Sequence, residues 1–124
     1  MQSGVLLASA ARTATATSPT ITNGGDLKLG GGTQLEVFID ITVDPAAAAV
    51  TFLIEGLDPA SGDWHTILAS AALAAVAKTV LRVSPDLTAS ANLIAKDIVP
   101  HTFRVRTTTA DTDSMTYSVG YSLS

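Results

Sequence analysis

The chain has 124 residues, 47% of them hydrophobic and 15% charged, a formal net charge of −4 and no cysteine. That length supports one domain with a real core and leaves little room for a second. The acidic balance and the scattered Lys and Arg argue against a binder of nucleic-acid backbones, and the lack of cysteine excludes disulfides and thiolate metal ligation.

Aromatic residues are 5% of the chain, so a core must come from Val, Ile and Leu. Ser, Thr and Ala are left to cover much of the surface, a composition suited to packing against neighbours. The N-terminal MQSGVLLASAAR has a signal-like ASA-A ending but no basic region before its short apolar stretch, so it is not read as a cleaved signal. No run approaches the roughly 18 to 20 apolar residues of a membrane span; the protein is expected to be soluble, with no membrane partner.

Arg12 to Ser18, RTATATS, alternates Thr with Ala, a period that suits extended backbone. Small residues bury little, so this segment is expected to become ordered by lying on something else. Residues 1–33 are therefore taken as an extended N-terminal arm with a glycine-rich loop, and residues 34–124 as the folded domain. Val5, Leu6, Leu7, Arg12, Thr13, Thr15 and Thr17 are its candidate contact residues. The loop, NGGDLKLGGGTQ from Asn23 to Gln34, holds five of the nine glycines and adds Leu27, Lys28 and Leu29 as candidates. A phosphate loop needs a Lys after the second glycine of its spacing, and a helix behind it. Here Gly31 stands where that Lys is required, Lys28 comes too early, and a strand follows. The loop reads as a connection or contact element.

Gln34 to Val43, QLEVFIDITV, alternates sharply: Leu35, Val37, Ile39, Ile41 and Val43 face one way, with Phe38 an apolar ring on the polar face. Phe38 is expected either to be covered by the arm or to be presented to a partner. Val50 to Leu57 is a second strand, joined by DPASGD to WHTILAS at 64–70, and Asp-Pro followed by Ser-Gly makes a tight turn. Residues 67–81 are alanine-rich but lack helix caps, so strand, turn, strand is expected. Ser84 to Pro100 is expected to cross between sheets with a short helical turn near Asp86. His101 to Thr109 places Phe103, Val105 and Thr107 on one face with Arg104 and Arg106 on the other, and MTYSVGYSLS closes the chain with Met115, Tyr117, Val119, Tyr121 and Leu123 on one face. Seven or eight short strands with turns between them predict an all-β chain, a single antiparallel β-sandwich of immunoglobulin-like or jelly-roll-like kind.

Catalytic and metal signatures are weak throughout. His65 and His101 lack a second ligand at helical spacing. Asp111-Thr112-Asp113 lacks the glycine and distal glutamate of a calcium loop. PASGD lacks the first glycine of a nucleophile elbow, and most of the eleven acids fall in turns. No enzyme activity, cofactor or metal is expected. Trp64 and Tyr117 are expected to anchor the core, or in the case of Trp64 its rim. Arg104 and Arg106 are expected to meet Asp40 or Glu36 across a sheet, or an acidic neighbour.

Several runs together, LLASAARTATATS, IEGLDPASGDWHTILASAAL, VLRVSPDLTASANLIAKDIVPHTFRVR and DSMTYSVGYSL, resemble a family of small virion structural proteins encoded among the head and tail genes of tailed bacteriophages. The resemblance covers most of the chain, departing at 71–77 and 30–32, and implies a capsid decoration protein on the outside of the head. Its implied partners are the major capsid protein lattice and further copies of itself, in a homo-oligomer such as a trimer. Its implied location is the virion exterior, after synthesis in the host cytoplasm. A tail tube, terminator or joining protein, and a carbohydrate or host-surface binding module, are the alternatives. Scarce aromatics disfavour the sugar binder.

Overall fold

The computed structural model describes residues 2–23 and 33–124. In chain order the strands are β1 (Gln2–Arg12), β2 (Ile21–Thr22), β3 (Leu35–Val43), β4 (Val50–Leu57), β5 (Trp64–Ala69), β6 (Ala77–Val83), β7 (Ile94–Ala95), β8 (Thr102–Thr109) and β9 (Met115–Leu123), with no helix among the described residues. They form a five-stranded sheet, ordered β1-β9-β3-β6-β7, and a four-stranded sheet, ordered β2-β8-β4-β5. The chain is an all-β sandwich. Every ladder is antiparallel except that of β6 with β7.

Period-2 alternation builds the core. Leu35, Val37, Ile39 and Ile41 of β3, and the five alternate residues Met115 to Leu123 of β9, face Val50, Phe52 and Ile54 of β4 and Phe103 and Val105 of β8. Two edge-to-face aromatic pairs join the sheets, Phe52 with Tyr117 at 5.0 Å and Phe103 with Tyr121 at 5.9 Å between ring centroids. Thr107, buried with them, shares a 3.2 Å hydrogen bond with the Tyr117 hydroxyl and accepts one from the Ala16 amide at 2.9 Å. Val43 leaves the alternation: the β3–β9 ladder shifts between Ile41 and Val43, which turns Val43 to solvent.

The N-terminal segment lies on the domain's own sheets. β1 is an edge strand paired along its length with β9, with Leu6 in the core. The chain then crosses to the other sheet, where Ser18 donates to Val105 O at 2.8 Å, Thr107 donates to Ala16 O at 2.8 Å, and β2 pairs with β8. Small residues suffice because backbone bonding holds the segment. The edges of β9 and β8 carry donors and acceptors that need partners, and residues 2–22 supply them.

The alanine-rich stretch is neither helix nor hairpin. β5 and β6 belong to different sheets, and the link between them is tied to β4 by the reciprocal Val50–Leu73 pair at 3.1 and 2.9 Å. The expected helical turn near Asp86 is absent. The Asp86 amide is held instead by Ser84 Oγ at 3.2 Å, and the chain turns at Ser90–Ile94, with Asn92 at φ 63°, to enter β7. In the β4–β5 hairpin Gly62 adopts φ 77°, where a Cβ would be strained. Asp58 caps that turn, accepting from the Ala60 amide at 2.9 Å and the Ser61 hydroxyl at 2.8 Å.

Candidate functional site

Residues paired across an antiparallel ladder project to the same side of the sheet, so the registers define two outer faces. On the five-stranded sheet one row runs Val5, Gly120, Phe38, Val80 across four strands. Val5 is 71% exposed and Phe38 43%. Glycine between them leaves nothing to cover either, and Val80 is half-buried beside Phe38. Polar rows flank this stripe: Ser3, Ser122, Glu36 and Arg82 on one side, Ser118, Asp40 and Lys78 on the other. The Glu36–Arg82 pair, 3.7 Å apart and exposed, contributes little stability. The face is an apolar stripe with a charged, locally neutral rim.

On the four-stranded sheet Arg104 and Arg106 of β8 both converge on Glu55 of β4. Arg104 Nε donates to Oε1 at 2.9 Å and Arg106 Nε to Oε2 at 3.1 Å, with the Glu55 side chain only 4% exposed. The Arg104 guanidinium lies over the Trp64 ring, 4.1 Å from its centroid. The acid meeting these arginines is therefore Glu55. Asp40 and Glu36 sit in the other sheet, out of register with β8. Strand order decided this, and alternation carries no strand order. The useful sequence signal was the outward position of Glu55 in VTFLIEGL.

The remaining candidates divide by exposure. Leu6 is buried in the domain's own core, and Leu7 is half-buried against it. Arg12 turns inward, 4.6 Å from the Tyr117 ring centroid, and donates to Tyr117 O at 2.8 Å and Ala8 O at 2.6 Å. Thr13, Thr15 and Thr17 are exposed. Leu27, Lys28 and Leu29 lie outside the described residues. Tyr117 is a core anchor, whereas Trp64 lies at the rim over Arg104. Val76 and Ile98, which no pattern in the sequence marks, are also exposed.

His65 approaches Asp58 Oδ2 at 3.8 Å. The Ala60 amide, then the Ser61 hydroxyl, hold the Asp58 carboxyl below the ordinary aspartate range. That is turn chemistry. Among the described residues no group of three or more His, Asp or Glu could hold a metal ion. No helix there is long and apolar enough to cross a membrane.

No protein-family model matches the chain, and no curated protein matches it. Among solved structures it is similar to the Yersinia pseudotuberculosis-derived mitogen (YPM), with 14% identity and a TM-score of 0.42 over 94% of this chain and 87% of that one.

Proposed function

We propose that this protein is a non-enzymatic virion component of a tailed bacteriophage, a capsid decoration protein that binds the outside of the major capsid protein lattice and stabilises the head. The observation that carries the reading is the Val5–Phe38–Val80 stripe, whose two largest exposures are 71% and 43%, on an outer sheet face with a neutral rim. The phage-like runs of the sequence support it. A protein that binds only the assembled shell stabilises that shell by mass action, and copies joined in a homo-oligomer and repeated over a lattice gain avidity from modest single contacts. An exposed aromatic in a rigid sheet suits the centre of such a contact.

The test is co-sedimentation of purified protein with purified empty heads, alongside gold labelling of whole particles. Binding to heads is expected, weakened about tenfold or more by Phe38→Ser with an unchanged unfolding midpoint. Label along tails and none on heads would replace decoration with a tail role.

A further inference from the structure

On the outer face of the four-stranded sheet two guanidinium groups share one carboxylate, which leaves one unit of positive charge in a chain whose net charge is −4. Arg104 and Arg106 reach Glu55 through Nε alone, and among the described residues neither side chain has a further hydrogen-bond partner. Their Nη donors are thus uncommitted, on side chains 22% and 32% exposed. Glu55 does not cancel the pair; it fixes both guanidinium groups in place. The Trp64 ring supports the Arg104 guanidinium, which lies over its face. Such a pre-set pair of forks matches a carboxylate and loses little side-chain freedom on binding.

The surroundings leave the forks open. Thr66, opposite Glu55 on β5, and Thr17, opposite Arg106, are small and exposed. We propose that Trp64, Arg104 and Arg106 form a carboxylate-binding site for an acidic peptide segment of a partner protein. Charge complementarity supplies the occupant. Two arginines on an otherwise acidic chain are too few to neutralise a run of phosphates, whereas one or two Asp or Glu side chains on an extended segment match their number. The site lies on the opposite sheet from the Phe38 stripe and does not depend on shell binding.

The isolated protein tests it. Acetylated, amidated tetraglutamate is titrated while the indole N–H of the chain's single tryptophan and the Nε–H signals of Arg104 and Arg106 are followed by NMR, with tetraglutamine, inorganic phosphate and a single-stranded oligonucleotide as comparisons. Tetraglutamate is expected to shift all three signals at millimolar concentration and tetraglutamine none. Arg106→Gln, in which Arg104 still pairs with Glu55, is expected to weaken binding about fivefold or more. Thr17→Glu, which sets a tethered carboxylate opposite Arg106, is expected to suppress the response and keeps the test open if Arg106→Gln fails to fold. Any of four results overturns the proposal: no shift with tetraglutamate, an equal shift with tetraglutamine, tighter binding of phosphate or oligonucleotide, or unchanged binding by folded variants.

Discussion

Leu6 and Val5 are chain neighbours with opposite fates, 4% and 71% exposed, and that contrast tests whether β1 is an integral strand. Leu6→Ala removes a buried side chain from the cluster that includes Val119 and Tyr121 of β9. Core truncations of this kind cost about 2–5 kcal/mol. The low end, about 2 kcal/mol, applies here, because Leu6 lies on an edge strand where the register shifts between Val5 and Leu7, and neighbours at such a site relax into the gap. For a domain of this size that lowers Tm by roughly 6–12 °C. Val5→Ala removes a solvent-facing side chain and stays within about 0.5 kcal/mol. Thermal unfolding by circular dichroism and urea unfolding with an unchanged m-value measure both. If Leu6→Ala unfolds at the wild-type midpoint, β1 is not docked on β9 in solution, and the placement of residues 2–12 in the sandwich is wrong.

Two further outcomes follow from the hairpin and its surroundings. A Cβ at Gly56 would lie 2.8 Å from Pro100 Cγ and 3.0 Å from Pro100 Cβ. Gly56→Ala is therefore expected to cost about 1–3 kcal/mol, and adding Pro100→Ala should recover part of it, so additive costs in a double-mutant cycle would show that the clash is not the cause. Asp58, whose carboxyl is held below the ordinary value of 3.8 by the Ala60 amide and Ser61 hydroxyl, contributes stability that is fully present above that value and lost as pH falls through its lower folded value. Asp58→Ala should therefore lose its disadvantage against wild type only under acid conditions, and a gap in Tm that stays constant from neutral pH down to full protonation of Asp58 would refute the assignment.

The strict alternation in QLEVFIDITV, HTFRVRTTT and MTYSVGYSLS made β3, β8 and β9 legible, with their inward residues, because burial on one sheet face imposes period 2 directly. β1 was read as a free arm because its buried apolar content reduces to Leu6, and what holds it is backbone pairing, which no side-chain pattern encodes. Residues 67–81 were legible as two strands with no helix between them, but not as strands of different sheets, for a related reason. The course of the link depends on β5 and β6 lying in different sheets, a non-local fact. The same limit governed the arginines: facing and spacing were visible in HTFRVR, but their partner depended on β4 lying beside β8 and β3 lying elsewhere. Phe38 was legible as an exception to its strand's pattern, and its ring is exposed on the outer face of that sheet.

The register shifts in β1, between Val5 and Leu7 and again between Leu7 and Ala10, bear on how the protein behaves at high concentration. Gln2–Ala11 is a long edge segment without a charged side chain, the kind of edge that recruits further strands and seeds fibrils. Each shift throws the outward row of amides and carbonyls out of step, so an incoming strand finds only short matched stretches between interruptions. Irregularity here does the work that lysine or proline does on other edges. It makes the β1 edge a poor template for open-ended strand addition.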